Sequence, residues 1–194
     1  MRLLLILIIS FTLVNCKNKQ GEKTTQGDTI LASVKPVEEQ CILSNQKAMS
    51  DSLVQSLRAA ALPILENRLS ATTIKSVTGL DKDLWHVEAI LKGSDITFGD
   101  NLKGAWLDFG DDATYKYGHF DQVSGSGKYH YDVDKSTLIM VDNDKRIKPQ
   151  EFQPMLTNDA LVLVGSSIYK DNNMQAKFVR NTAMPVKPEP KPVY

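Results

Sequence analysis

The sequence is poor in cysteine and histidine, and neither sign of charge is in excess. Of its 194 residues, two are cysteine and three are histidine, and 23 Lys and Arg balance 23 Asp and Glu. Without a basic cluster there is no electrostatic signature of a nucleic-acid-binding protein, so we expect no nucleic-acid partner. The histidines, His86, His119 and His130, lack ligand spacing, and we expect no metal site.

Motifs of the common catalytic sites are also missing. The chain has no Gly-x-Ser-x-Gly elbow and no phosphate-binding glycine loop. We therefore assign no catalytic residue and no cofactor, and we expect that the protein is not an enzyme. One alternative is a hydrolase that uses an acidic pair such as Asp108 and Asp112. The acidic clusters around these residues and at 142–144 are also what turns require, so calcium binding is the less favoured interpretation.

The first residues have the form of a secretory signal peptide, with Arg2 followed by an apolar run too short to span a bilayer comfortably. Residues 13–16, Leu-Val-Asn-Cys, resemble the lipobox of bacterial lipoproteins. The resemblance implies cleavage after residue 15 and acylation of Cys16, which would anchor the protein in a lipid bilayer. Lys17 and Asn18 are not the Asp that retains lipoproteins at the inner membrane, which favours the outer membrane of a Gram-negative cell envelope. The alternative is a secreted protein in which Cys16 is incidental.

Composition divides the rest of the chain into four parts. Residues 16–40 are polar and predict a flexible tether, and residues 183–194 form a proline-rich, extended tail. Residues 41–70 are helical, with helices expected at 46–61 and 64–69 because Pro63 should interrupt them. Cys41, the second cysteine, cannot form an intramolecular disulfide if Cys16 is acylated, and we expect it to pack as a small apolar residue.

Residues 71–182 alternate between apolar and polar positions in short runs separated by turn residues, which predicts β-strands. In the central runs one face carries Ala105, Leu107 and Phe109, then Tyr115 and Tyr117, then Tyr129, Tyr131 and Val133. Residues 110–113 predict a hairpin turn, 123–127 a flexible loop and 138–141 a more continuously apolar strand. Further strands are expected at 84–91, 149–155, 160–164 and 174–179, and an edge strand is possible at 72–77. In the strand at 84–91, Trp85, Val87 and Ala89 share a face.

The fold class is therefore mainly β, an antiparallel meander of seven or eight strands that closes into a small barrel, with an N-terminal helix that could cover one end. Closure removes the exposed edges that an open sheet would leave.

The order of these motifs resembles the lipocalin-like lipoproteins of Bacteroidota over about residues 80 to 180. The resemblance lies in Leu84-Trp85, Leu107-Asp-Phe109 with its Asp-rich turn into Thr114-Tyr-Lys-Tyr117, Gly127-Lys-Tyr129, Leu138-Ile-Met-Val-Asp142 and Leu161-Val-Leu163. Two positions depart from the pattern: Asp83 stands where the opening motif has glycine, and Ala113 stands where the hairpin has glycine. The resemblance implies a small calycin-like barrel and no particular catalytic residue.

Aromatic residues are the best indication of a binding site. We expect Phe109, Tyr115, Tyr117, Tyr129, Tyr131 and Phe152 to point into the barrel. Buried tyrosine hydroxyls need partners, so these residues favour an interior that holds a small, partly apolar ligand. Two alternatives stay open: the aromatics fill a solid structural core, or the outer face or tail docks an envelope protein or cell-wall material.

Overall fold

The structure, a computed structural model, describes residues 49–71, 79–170 and 172–189. Several predictions concern residues outside these ranges and stay predictions. They are the signal peptide at 1–15, the acylated Cys16, the tether at 16–40, Cys41, the beginning of the helical segment, the edge strand at 72–77 and the end of the tail. Within the described ranges, no helix has the length and apolar character that crossing a bilayer would need.

One helix, α1, runs from Asp51 to Ala71 and continues through Pro63. The predicted interruption at this proline is wrong. A proline inside a helix removes a backbone donor and crowds the preceding turn, at a cost of about 3 kcal/mol. Ala61 and Leu65, on either side of it, are both buried in the same cluster against the sheet. This shared packing surface holds α1 together across Pro63.

Within the described ranges nine strands follow the helix, and they account for every strand predicted there. They are β1 (Leu84–Lys92), β2 (Asp95–Phe98), β3 (Ala105–Phe109), β4 (Thr114–His119), β5 (Gln122–Asp132), β6 (Thr137–Asp142), β7 (Gln150–Leu156), β8 (Ala160–Gly165) and β9 (Met174–Asn181). A short 3-10 helix, Gly99–Leu102, connects β2 to β3.

All strand pairs are antiparallel, and the sheet closes on itself. Each strand from β3 to β8 pairs with the next along the chain, and β1 pairs with both β3 and β9. Eight strands therefore form a closed barrel, and β2 is an additional strand attached to β1. The predicted fold class, a mainly β antiparallel barrel with an N-terminal helix, is confirmed.

The interior of the barrel is one cluster of buried, mostly apolar side chains contributed by the barrel strands and the segments next to them. Its members are Leu80, Trp85, Val87, Ile90, Leu102, Ala105, Leu107, Phe109, Tyr115, Tyr117, Tyr129, Leu138, Met140, Phe152, Leu161, Leu163, Met174, Ala176 and Phe178. Leu138 and Met140 alternate along β6 with Ile139 and Val141, which belong to a second cluster. This is the period-two alternation expected of a strand with two covered faces.

The second cluster lies between α1 and the outside of the barrel wall. It joins Ala61 and Leu65 of α1 to Ile139 and Val141 of β6 and to Tyr169. The sequence left open that the helix covers one end of the barrel; α1 lies against the outer surface of the wall instead. The continuously apolar sequence of β6 is explained by this position, because its outer face is covered by the helix.

The segment at 123–127, predicted as a flexible loop, is part of the eleven-residue strand β5. The prediction of a loop is wrong. It rested on Gly125 and Gly127, because glycine in the interior of a strand normally weakens the strand. Here the absence of a side chain is required. A Cβ atom on Gly125 would lie 2.2 Å from the Tyr117 hydroxyl, and one on Gly127 would lie 2.7 Å from the Tyr115 ring. The two tyrosines of β4 thus cross over the two glycines of β5.

Strand β1 contains an irregularity that the alternation did not reveal. Its pairing with β9 shifts between Val87 and Ala89, so that Glu88 is the extra residue of a β-bulge. The bulge moves Ile90 into the interior in place of Ala89, which was predicted to share a face with Trp85. Bulges of this kind re-aim the side chains that follow them.

Candidate functional site

All six aromatic residues predicted to point into the barrel belong to its interior cluster. Phe109, Tyr115, Tyr117, Tyr129 and Phe152 are buried members, and Tyr131 is half-buried and packs against them. The structure therefore brings together the side chains that the sequence singled out. Binding of a ligand by them stays a prediction.

The rings pack against each other. Phe109 meets Tyr129 edge-to-face with ring centroids 4.8 Å apart, and Tyr115 stacks on Tyr117 at 6.2 Å. The Tyr129 hydroxyl donates to the carbonyl oxygen of Gly110 at 2.9 Å. Burial raises the pKa of Tyr129, and the charge of Asp81 raises it further. These contacts are typical of a packed interior in which each polar handle has a partner.

A small polar cluster lies in the interior beside Tyr115 and Tyr117. The Tyr115 hydroxyl donates to the Asp142 carboxylate at 3.3 Å, and the backbone N–H of Asp144 donates to its other oxygen at 2.7 Å. Burial raises the pKa of the Asp142 carboxyl, while the hydrogen bonds from Asp144, Tyr117 and Tyr115 act in the opposite direction. The residues at 142–144 predict a turn, and nothing in the sequence indicated the two tyrosine partners of Asp142, which come from β4.

The cavity at this cluster is too small for an organic ligand. Its volume is about 10 Å³, and Tyr115, Tyr117, Asp142 and Lys148 are among the residues that line it. A space of this size accommodates roughly one water molecule. Asp142 and Lys148 are themselves buried, with exposures of 4% and 1%. The polar cluster is therefore best interpreted as part of the core rather than as a catalytic centre.

Helix α1 holds the chain around and after Asp142 through two side chains, Arg58 and Gln55. The Arg58 guanidinium donates to the carbonyl oxygens of Asp142, Asp144 and Ile147 at 2.8, 3.2 and 2.8 Å. Gln55, one turn earlier, donates to the carbonyl of Lys145 at 2.9 Å. These bonds explain why a charged residue lies on the buried face of α1: it satisfies carbonyl groups that the β6–β7 connection leaves without strand partners.

A larger site opens where β1 leaves β3. Strand β1 pairs with β3 through Trp85 and His86, and with β2 from Ala89 onward. Val87 and Glu88 lie between the two ladders and pair with neither strand. The sheet splays apart at this point, and a groove of about 690 Å³ results. We call it the splay groove; residues 86–89, 98–100, 102–105, 120 and 185–186 line it.

The floor of the splay groove is the edge of the barrel interior. Val87, Leu102 and Ala105 line the groove and also belong to the interior cluster. At the rim, the apolar side chains of Phe98 and Val186 are 62% and 86% exposed. An apolar floor and exposed apolar rim residues are suited to a ligand that is itself partly apolar.

Polar groups of the splay groove are few and stand at its border. His86 is half-buried, Asp100 and Lys103 are exposed, and Glu88 forms an ion pair with Lys177 at 2.7 Å. The volume lies within the range of about 300–1,000 Å³ that is usual for small-molecule sites. Sequence reasoning missed this groove because its walls come from five separate segments. The one local signal was the apolar pair Ile96 and Phe98 directly after a turn.

The histidines have local partners rather than a shared one. His119 contacts the carbonyl oxygen of Lys103 at 2.8 Å through its Nε2 atom. His130 is half-buried, and burial together with the charge of Arg68 on α1 lowers its pKa. Among the residues that the structure describes, no group of three or more His, Cys, Asp or Glu side chains is arranged to hold a metal ion.

The acidic pair Asp108 and Asp112 has divergent environments. Burial raises the pKa of Asp108, although Lys116 opposes this effect. Hydrogen bonds from Thr114 lower the pKa of Asp112, whose Oδ1 accepts from the Thr114 hydroxyl at 2.6 Å and from its backbone N–H at 3.0 Å. The Asp112 carboxylate thus has a structural task in the β3–β4 hairpin. The hydrolase alternative stays a prediction.

Comparisons with known proteins match solved structures over about half of this chain, at low identity. No protein-family model matches the sequence, and no curated protein matches it. A solved DUF4847 family protein from Bacteroides vulgatus is 12% identical, with a TM-score of 0.38 over 54% of this chain and 96% of that one. A solved protein from Bacteroides uniformis is 16% identical, with a TM-score of 0.39 over 56% and 94%. Similarities of this size identify neither a family nor a function for the chain.

Proposed function

We propose that the protein is a lipid-anchored component of a bacterial cell envelope, and that it binds a small, partly apolar molecule in the splay groove. The observation that carries the binding proposal is the contrast between the two cavities. The space beside the interior tyrosines has a volume of about 10 Å³, whereas the groove between β1 and β3 has about 690 Å³. Of these two cavities, the groove is the one large enough for an organic ligand.

The interior aromatics have a supporting role in this proposal. Because Phe109, Tyr115 and their neighbours pack against each other, the barrel provides a rigid wall behind Val87, Leu102 and Ala105. A ligand that covers these residues and the exposed ring of Phe98 removes apolar surface from water on both sides, which is the main source of affinity for such molecules. The border residues His86, Asp100 and Lys103 are available to a polar group on the ligand.

Binding can be tested with the neutral fluorescent probe N-phenyl-1-naphthylamine, whose emission rises in apolar surroundings. Ala89 is half-buried in the groove wall, and Ala89→Trp fills the groove with an indole. We expect this variant to weaken probe binding by about tenfold or more. The matched control is Gln153→Trp, at an exposed position of β7 far along the sheet order, which should bind as the wild type does.

A third variant separates the groove from the barrel interior. Tyr131 is the half-buried member of the interior aromatic set, and Tyr131→Leu changes the interior without changing the groove. If Tyr131→Leu loses probe binding and Ala89→Trp keeps it, the groove is not the binding site, and the barrel interior is favoured instead. Native mass spectrometry of protein purified from cells that naturally produce it should show a retained small molecule, and repeated ligand-free spectra would count against either site.

The anchoring part of the proposal rests on the sequence around Cys16. It predicts that the full-length precursor is labelled by radioactive palmitate in a bacterial host and sediments with membranes. Cys16→Ala should abolish both the labelling and the sedimentation. Membrane association that persists in Cys16→Ala would show that acylation of this residue is not the anchor.

A second candidate function is docking of an envelope partner through the tail. The observation that favours it is the exposure of residues 186–189, which follow the barrel. Deleting residues 185–194 does not separate docking from ligand binding, because Pro185 and Val186 line the groove. Deleting residues 187–194 leaves both groove residues in place. A partner captured by the full chain and lost on this shorter deletion, with probe binding unchanged, would support docking.

A further inference from the structure

The chain turns back toward the barrel after β9 and is fastened there by a closed set of hydrogen bonds. The Ala183 carbonyl lies 2.9 Å from the Nε2 atom of His86, and the Ala183 N–H donates to the Asn181 side-chain oxygen at 3.1 Å. The Asn181 side-chain nitrogen lies 3.4 Å from the Nδ1 atom of the same histidine. We call these three residues the tail latch.

The protonation pattern of the tail latch follows from its partners. A carbonyl oxygen can only accept, so His86 Nε2 must donate to Ala183. In a neutral ring Nδ1 is then the acceptor, and it faces the amide nitrogen of Asn181, which can only donate. The Asn181 amide cannot reverse without losing its bond from the Ala183 N–H. All three residues therefore fix one another in a single arrangement.

The residues that follow the latch form a wall of the splay groove. Pro185 is half-buried and Val186 is 86% exposed, and both line the groove that Phe98 and Phe120 border on other sides. Proline restricts its own backbone and that of the residue before it, so this segment is stiff. An exposed valine on a stiff segment at the rim of an apolar groove is positioned to be covered by a ligand that enters the groove.

We propose that residues 183–186 are a strap that closes on the ligand of the splay groove, with the tail latch as its fixed end and Val186 as its contact. This inference rests on the function proposed above. In the structure the strap borders the groove, and Val186 is exposed to water. In the complex the side chain of Val186 packs on the apolar part of the ligand, so the strap slows release more than it affects entry.

The test uses stopped-flow fluorescence with N-phenyl-1-naphthylamine and the wild-type chain, Asn181→Ala and Val186→Ser. Asn181 does not line the groove, so its substitution loosens the latch without removing a ligand contact. We expect each variant to raise the dissociation rate by about fivefold, with the association rate changed by less than about twofold. The control is Gln175→Ala, an exposed position on the same strand, which should leave both rates unchanged.

The outcomes separate the strap from the binding function. If the wild type binds the probe and neither Asn181→Ala nor Val186→Ser releases it faster than the wild type does, the strap is overturned and the groove remains the binding site. Failure of the wild type to bind would overturn both. Hydrogen exchange gives a readout that does not depend on affinity. The Ala183 amide should be protected in the wild type, further protected by the probe, and unprotected in Asn181→Ala.

Discussion

The contact of Tyr117 with Gly125 can be tested by a substitution that should change the free energy of unfolding in opposite directions in a strand and in a loop. The perturbation is Gly125→Ala. In a flexible loop this change would stabilise the protein by about 0.4–1 kcal/mol, because alanine restricts the unfolded chain more than glycine does. In β5 the added Cβ atom would lie 2.2 Å from the Tyr117 hydroxyl oxygen and 2.3 Å from its Cζ atom.

Favourable contacts between carbon atoms begin at about 3.5 Å, so the Tyr117 ring must move by more than about 1 Å. It has little room to do so. Tyr117 is 3% exposed, stacks on Tyr115, and borders a cavity of about 10 Å³. Overpacking of this kind typically costs about 1–3 kcal/mol. After subtraction of the gain from the unfolded chain, we expect a net loss of about 1–2 kcal/mol in the free energy of unfolding.

The assay is urea unfolding followed by tryptophan fluorescence, with Ser124→Ala as the matched control at an exposed position of the same strand. A double-mutant cycle identifies the cause. Tyr117→Leu removes the hydroxyl and ring atoms nearest to the new methyl group, so Gly125→Ala in that background should be neutral or stabilising. Equal losses in the two backgrounds, or a Gly125→Ala variant more stable than the wild type, would refute the packing argument.

Three further predictions concern single residues. Ala113→Gly should raise the free energy of unfolding by about 1 kcal/mol, because Ala113 has a φ of +63° where glycine carries no penalty; an unchanged thermal midpoint would contradict it. Burial raises the pKa of Asp142, so the wild type loses stability as pH rises from about 4 through this raised pKa, and Asp142→Asn should gain stability relative to the wild type over the same interval; a flat difference across pH excludes this linkage. Arg58→Met should cost about 2–4 kcal/mol in urea unfolding and increase hydrogen exchange at 143–147, because three carbonyl groups lose a charged donor; unaltered exchange would count against this role.

The features that the sequence predicted are those with a local cause. Alternation of apolar and polar residues located eight barrel strands, and the turn at 110–113 followed from its Gly and Asp residues. The interior position of Phe109, Tyr115 and Tyr129 followed from the same period of two, because each strand has one face toward the barrel. Each of these inferences relates residues within about ten positions of each other. Over that distance backbone geometry alone determines the direction in which each side chain points.

The features that escaped prediction depend on contacts between distant segments. Gly125 is compatible with a strand because Tyr117, eight residues earlier, covers it. Pro63 is tolerated because β6 packs against α1 on both sides of it. In each case the local propensity of the residue is real, and tertiary packing outweighs it.

The splay groove could not be inferred for a related reason. It exists because β1 changes partner from β3 to β2 between His86 and Ala89, and a change of partner leaves no periodic trace in the sequence. The bulge at Glu88 lies at the same place on the opposite edge of β1, facing β9. Glu88 takes part in both irregularities, so β1 separates from β3 on one edge and keeps its pairing with β9 on the other.

The two glycine positions at which the sequence departs from the lipocalin-like pattern have the same backbone conformation. Asp83 and Ala113 both have a φ of +63°, in the left-handed region that glycine enters without strain. Asp is one of the few other residues found there regularly, whereas alanine has no polar group with which to offset the clash of its Cβ atom. Asp83 also lies 3.8 Å from the guanidinium of Arg180, which stacks over the Trp85 ring at 4.4 Å. The turn geometry at both positions is therefore imposed by the strands on either side and does not depend on glycine. Of the two replacements, the alanine bears the larger strain, so a return to glycine should stabilise the protein more at 113 than at 83.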